Sequence, residues 1–303
     1  MKLQRLASAN AVFLFLSVIF LSAGAYFQNA DLNSGIVLTE LVIVLLPAVI
    51  FSSIYKTGSI IDFLRLRLVS PKVFISAFAI TLLTYPLAVF GNSLAIFILS
   101  LFGNVELPEV PIASNLNEFI LYIVLIGILP GFCEEVLFRG FFLRMNSTGS
   151  ERFAVLFTAF MFALFHYNIY NFMGPLVLGI VFGYITLITG SIWPAVFCHA
   201  LNNSIASTLG YFMLQGDGAT QAIPEGVDML LAMGMQLAVL GVISLACAKG
   251  LKKKLKKLRE NFGVQDTEIA ADQAAQSGRL KLLIYAPIAV CVVIFIYLNV
   301  TFM

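Results

Sequence analysis

VFISAFAITLLTYPLAVFGNSLAIFILSLF, residues 73–102, runs for 30 residues without an Asp, Glu, Lys or Arg. Wound as an α-helix it would extend about 45 Å at ~1.5 Å per residue, longer than the ~30 Å hydrocarbon core of a bilayer. It is long enough to tilt or to project beyond the membrane. Working outward, the rest of the chain has the same character. Of 303 residues, 60% are hydrophobic and 11% charged, with a mean hydropathy of +0.97. A soluble domain is about 25% charged. A cytosolic enzyme, a nucleic-acid-binding domain and a disordered chain are thereby excluded. In lipid every backbone polar group must be satisfied internally, which leaves helical bundles and closed barrels. The alternation of barrel strands is absent, so the fold class is all-α, a polytopic transmembrane helical bundle.

Long apolar runs give nine spans: 10–27, 36–55, 73–102, 118–145, 152–167, 173–189, 192–213, 228–248 and 280–300. The distribution of charge checks this count. Lys and Arg concentrate on the cytoplasmic side of membrane proteins. All 18 basic residues fall at the start of span one, between spans two and three, at the link between four and five, and between eight and nine. The alternate links hold only acids, such as Asp31, Glu106, Glu109, Asp217 and Glu225. The pattern places the N-terminus in the cytoplasm and the C-terminus outside. Lys2, Arg5 and the run ending in Ala23-Gly24-Ala25 also resemble a signal peptide. Its length favours a retained helix; cleavage would leave eight spans in the same orientation.

The chain reads as one integral membrane domain, residues 1–303, with a motif-bearing core at 118–213 and a basic, polar cytoplasmic loop at 249–279. Within that loop, Leu251, Leu255, Leu258 and Phe262 recur at helical spacing among basic residues. This reads as a cationic amphipathic helix on an anionic leaflet, or as a solubilising loop. Thr57–Val69 is a weaker interfacial candidate, and 264–278 a polar loop. Cys133, Cys198, Cys247 and Cys291 lie in apolar stretches without paired spacing, so neither disulfides nor a thiolate metal site is indicated. Gly179 and Gly183 have the spacing of a helix-packing motif. Glu40 is expected near the outer interface.

Ionisable groups inside a span are costly and call for a reason. The chain's two histidines, His166 and His199, both fall in spans. Span four adds Glu134, Glu135 and Arg139, and span seven adds Asn202 and Asn203. Glu135 and Arg139 are four apart, share a helix face and can pair. Glu134 points about 100° away and is left free. His199 and Asn203 share a face, as do Phe162 and His166. Counted from the cytoplasmic ends, these groups fall in one layer around the midplane. Pro130-Gly131 could bend span four there. A carboxylate shielded from water can act as a general base, histidines can orient water or bind a metal, and an amide suits an oxyanion. The set fits hydrolysis better than electron or phosphoryl transfer.

Three runs now stand out in order: PGFCEEVLFRGFF at 130–142, FALFH at 162–166 and TGSIWPAVFCHALNN at 189–203. Glu134-Glu135-x-x-x-Arg139, Phe162-x-x-x-His166 and His199-x-x-x-Asn203 together resemble the type II CAAX prenyl endopeptidase family, which includes the bacterial CPBP and Abi intramembrane proteases. The resemblance implies an intramembrane endopeptidase with a cavity open to the cytoplasmic side, in a prokaryotic cell membrane. It implies that Glu134 activates water, His166 positions that water, and His199 and Asn203 stabilise the oxyanion. Glu135 and Arg139 would be the supporting pair and Phe162 a motif aromatic. The family is often labelled metalloprotease, so Glu134, His166 and His199 could ligate zinc or form a metal-free apparatus. The implied partners are a membrane-associated or lipidated peptide or protein and the bilayer, with no nucleic acid. A non-catalytic immunity or scaffold protein and a proton-coupled transporter are the alternatives. The intact motif set speaks against the first. The lack of repeated halves speaks against the second.

Overall fold

The computed structural model describes residues 2–103, 111–147, 150–215, 229–263 and 278–301. Among these the regular structure is helical throughout, with no strand. Nine helices follow the nine apolar runs: α1 (Leu3–Ala30), α2 (Leu32–Tyr55), α3 (Lys72–Ser100), α4 (Leu116–Asn146), α5 (Glu151–Leu164), α6 (Met173–Thr189), α7 (Trp193–Gln215), α8 (Met229–Asn261) and α9 (Leu283–Thr301). Seven of them are long and apolar enough to cross a membrane. The exceptions are α5 and α7. With 14 residues, α5 rises only about 21 Å. His199, Asn202 and Asn203 lower the hydropathy of α7.

The core forms around two sets of contacts. Phe13 of α1, Phe138, Phe141 and Phe142 of α4 and Phe165 after α5 build the largest apolar cluster. Helix α1 is thus an integral part of the packing, and Asn10 Nδ2 donates to the Ile284 carbonyl at 2.8 Å across to α9. Helix α3 is the second hub, packed on α6, α7 and α8. The Gly179/Gly183 motif packs α6 against α5. A Cβ at those positions would lie 2.9 Å from the Ala159 Cβ and 3.0 Å from a Val155 methyl.

Four π-helical segments interrupt the α geometry: Phe20–Gly24, Thr39–Leu45, Ile123–Ile128 and Val136–Phe142. The last two flank Leu129–Glu135, the stretch that holds both glutamates. Such wide turns shift the helix face and free backbone carbonyls, and they recur at functional sites. Between them α4 comes unusually close to α7. A Cβ on Gly131 would sit 2.9 Å from the Ala200 nitrogen, and one on Gly127 2.8 Å from Ser204 Oγ.

Two interfacial expectations are corrected. The cationic stretch 250–261 is not a separate helix on the leaflet. It continues α8 without a break, and its apolar face, Leu251 and Leu258, is buried against Val73 and Val69 of the protein itself. Thr57–Val69 turns part of its apolar side inward and leaves Ile61 and Leu68 exposed. After one turn at Ile60–Phe63, Phe63 and Leu64 are buried and the strand-like stretch that follows is bonded to the α6–α7 corner. The Ile192 amide donates to the Arg65 carbonyl at 3.0 Å, Trp193 Nε1 to the Leu66 carbonyl at 2.9 Å, and Ser191 Oγ to the Arg67 carbonyl at 2.7 Å. Arg144 of α4 donates to the carbonyls of Asp62 and Phe63. Arg67 pairs with Asp62 on the surface. Desolvation, with Arg144 nearby, pushes the Arg65 guanidinium down to about 9, so it remains charged at neutral pH. Its Nη1 donates to the Arg139 carbonyl at 2.8 Å. The segment plugs the basic end of the bundle beneath the glutamates. The polar loop expected at 264–278 lies outside the described residues, apart from Gly278, where the helical stretch leading into α9 begins.

Candidate active site

Helices α4, α5 and α7 bring the predicted polar residues together. Glu135 is fully buried, and its Oε1 accepts two bonds, from Arg139 Nη1 at 2.7 Å and from His199 Nδ1 at 2.9 Å. The first is the expected pair on one helix, closed even though Val136–Phe142 is π-helical. The second crosses from α4 to α7 and ties the first motif to the third. Arg139 is covered by aromatic faces, its guanidinium carbon 4.4 Å from the Phe162 ring centre and 5.4 Å from that of Phe182. A cation desolvated against aromatic rings gains about 2 kcal/mol. Phe162 also meets both imidazoles edge-on, with ring centres 5.1 Å from His166 and 5.8 Å from His199. Phe162 is therefore the packing centre of the site.

Glu134 stands apart from this network. Its Oε2 is buried without a hydrogen-bond partner and lies 3.8 Å from His199 Nε2. His166 Nδ1 is 2.9 Å from the Phe162 carbonyl. A carbonyl only accepts, so Nδ1 carries the proton, and Nε2 of a neutral ring is an acceptor. Asn203 Nδ2 donates to the Ile126 carbonyl at 3.0 Å, in the upper π-helical segment of α4, and its Oδ1 accepts from Asn202 at 3.1 Å. Part of the Asn203 amide is thus used to hold the bent helix, leaving one amide hydrogen for other work.

A cavity of about 420 Å³ runs over these groups, with Glu134, Phe162, His166, His199, Asn202 and Asn203 at its floor. That is the size range of small-ligand and peptide pockets. It continues past Ala88, Leu178 and Ala206 to Ile112, Asn171 and Gly210. Those last positions lie at the end of the bundle away from the basic segments.

Two more residues belong to the surroundings. Glu40 was expected at an interface, but it is buried in the π-helical part of α2 that packs on Leu129–Glu135. Its Oε2 has no hydrogen-bond partner. A single acid within an otherwise uncharged span was the available signal. Asn202 lines the cavity and has a buried Oδ1 without a partner. Cys133 and Cys198 are fully buried packing residues, and no cysteine among the described residues is paired. As arranged, no three His, Cys, Asp or Glu side chains among the described residues converge to hold a metal ion. Each imidazole has Nδ1 engaged and keeps Nε2 as its open nitrogen.

The fold and site define a polytopic membrane protein with a cluster of acids, histidines and amides gathered where α4, the end of α5 and α7 meet. Comparison with known proteins narrows the class. Residues 116–205 match the family model of type II CAAX prenyl endopeptidase, Rce1-like, a family of CAAX-type intramembrane proteases. The match begins at the first residue of α4, ends within α7, and takes in Glu134, Glu135, Arg139, Phe162, His166, His199, Asn202 and Asn203. No curated protein and no solved structure matches the chain.

Proposed function

We propose that the chain is an intramembrane endopeptidase that hydrolyses a peptide bond of a membrane-associated substrate with a water activated by Glu134. The observation that carries this reading is the division of labour between adjacent carboxylates. Glu135 is consumed by Arg139 and His199, while Glu134 faces the cavity with no hydrogen bond to its buried Oε2, which lies 3.8 Å from His199 Nε2. The match of this segment to a protease family supports it.

In this mechanism His166 Nε2 accepts a hydrogen bond from the water and orients it. Glu134 takes a proton as the water oxygen attacks the scissile carbonyl. The oxyanion is met by the free amide hydrogen of Asn203 and by His199, whose ring is fixed through Nδ1 by Glu135. Collapse breaks the C–N bond, and Glu134 returns its proton to the leaving amine. General-base action is worth about 10²–10⁴-fold, and one oxyanion donor about 10²–10³-fold. Arg139 positions Glu135 without touching substrate, and Phe162, on the cavity floor, holds the two imidazoles.

The test is cleavage of membrane-associated peptides by protein purified in detergent, with products identified by mass. Detergent removes any ion gradient. New peptide termini there support hydrolysis. Intact peptides across a broad membrane-peptide pool, combined with proton-coupled uptake in sealed vesicles, would replace it with a transporter.

A further inference from the structure

His166 does not sit on a regular helix. The last residue of α5 is Leu164, and His166 lies two positions beyond it, in the turn that leads toward α6. Its amide and that of Tyr167 bond only three residues back, to the Ala163 carbonyl at 3.3 Å and the Leu164 carbonyl at 3.0 Å. That is the tightened spacing of a helix that is ending. Tyr167, the next residue, has φ 48°, in the left-handed region. A residue with a side chain keeps that conformation only where its surroundings over-determine it. The backbone that carries His166 therefore depends on bonds from elsewhere in the molecule.

Those bonds come from α9. Asn299 reaches the turn on both sides of Asn168: its Nδ2 donates to the Tyr167 carbonyl at 3.2 Å, and its Oδ1 accepts from the Ile169 amide at 2.8 Å. The other hydrogen of Nδ2 goes to the Phe295 carbonyl on the same helix at 2.8 Å, which fixes the orientation of the amide. One turn earlier on the same face, Phe295 is buried between Tyr167 and Phe172, with ring centres 6.4 and 5.5 Å away. Helix α9 is itself tied to α1, where Asn10 Nδ2 donates to the Ile284 carbonyl and Cys291 Sγ donates to Ser17 Oγ at 3.7 Å. The turn asks for one donor and one acceptor at the same point. An asparagine supplies both, an aspartate would lack the donor, and a leucine would lack both. On the helix side the His166 ring is held through Nδ1 by the Phe162 carbonyl. Phe162 and Asn299 thus fix the residue from its two sides and leave Nε2 as the open nitrogen of a ring that lines the cavity.

We propose that Asn299 is a positioning residue for His166: it locks the turn after α5 so that the imidazole presents Nε2 to the water. The last helix, which lies outside the family-matching residues 116–205, thereby takes part in the reaction. The effect on cleavage rests on the peptidase reading; the effect on the imidazole does not.

The experiment reads the two effects separately. Asn299→Leu removes both bonds at similar volume, and Asn299→Asp keeps the acceptor for Ile169 while losing the donor to Tyr167. The chain has only two histidines, so NMR of the full chain in detergent with isotope-labelled histidine shows two imidazoles, assigned with His166→Ala and His199→Ala. In Asn299→Leu the His166 signals should move or broaden while those of His199 stay. Peptide cleavage should fall about 10–100-fold in kcat with KM little changed, the range for partners that orient a functional imidazole. Added to His166→Ala, the same substitution should cost almost nothing more, because the two residues act as one unit. If Asn299→Leu yields no folded protein, Asn299→Asp is measured in its place, with smaller changes in the same direction. Unmoved His166 signals or wild-type kcat in the folded variant overturn the proposal. So does an equal fall in kcat with and without His166, the mark of a purely structural role. If the unaltered protein cleaves no peptide, the peptidase reading fails, and the His166 signals alone decide the positioning: movement upholds it and constancy refutes it.

Discussion

Replacing Glu135 with Ala removes one acceptor from two donors, and the structure sets the size of the effect. Arg139 would lose its 2.7 Å partner while fully buried, with Nη2 already unbonded, and His199 would lose the bond that fixes its ring. Breaking a buried ion pair from one side costs about 3–5 kcal/mol. At ~2 °C per kcal/mol, the scale for large chains, the melting temperature should fall by about 6–10 °C. Arg139→Ala should cost a similar amount, because it leaves the Glu135 carboxylate uncompensated and Phe162 without its cation. The double variant should recover part of the loss, with an interaction energy of about 0.5–3 kcal/mol, but not all of it, since His199 remains untethered. Glu134→Ala should melt at the wild-type temperature or above, because it removes an acid whose buried oxygen has no partner. Thermal melting of the four purified variants in detergent measures all of this. A destabilised Glu134→Ala beside a silent Glu135→Ala would refute the reasoning and exchange the roles of the two carboxylates.

Three further outcomes are expected. Gly131→Val should lower both melting temperature and peptide cleavage, since its Cβ would press on the Ala200 backbone and drive α7 from α4; wild-type behaviour in both assays would contradict the close approach. Glu40→Gln should keep or raise the melting temperature, because it neutralises a buried acid with an unbonded oxygen; a clear drop would show that the carboxylate has a stabilising partner. Chelator treatment followed by removal of bound metal should leave cleavage intact, and loss of cleavage restored by zinc would assign Glu134, His166 and His199 to a metal instead.

Much of this architecture is legible in the sequence because the bilayer imposes simple rules. Nine apolar runs became nine helices, and the four-residue spacing of Glu135 and Arg139 became an ion pair. What spacing cannot report is contact between helices. The bond from Glu135 to His199 joins positions 64 residues apart, and no periodicity links them. The π-helical turns beside Glu134 were equally hidden, since one extra residue in a turn leaves an apolar run apolar. Glu40 was misplaced because its position near the start of α2 suggested an interface, whereas packing of α2 on α4 buries it. The segments 57–69 and 250–262 look amphipathic, and that pattern does not say whether an apolar face meets lipid or protein. In 250–262 protein took the place of lipid for Leu251 and Leu258, and in 57–69 it did so for Phe63 and Leu64 but not for Ile61 and Leu68.

The central claim is that Glu134 is the base, and the most direct measurement is the turnover of a cleaved membrane peptide by Glu134→Gln. The amide keeps the shape of the side chain but cannot accept the water proton. The account predicts a fall in kcat of about 10²–10⁴-fold, with KM and melting temperature close to wild type. A Glu134→Gln protein that retains more than about a tenth of wild-type kcat would contradict it.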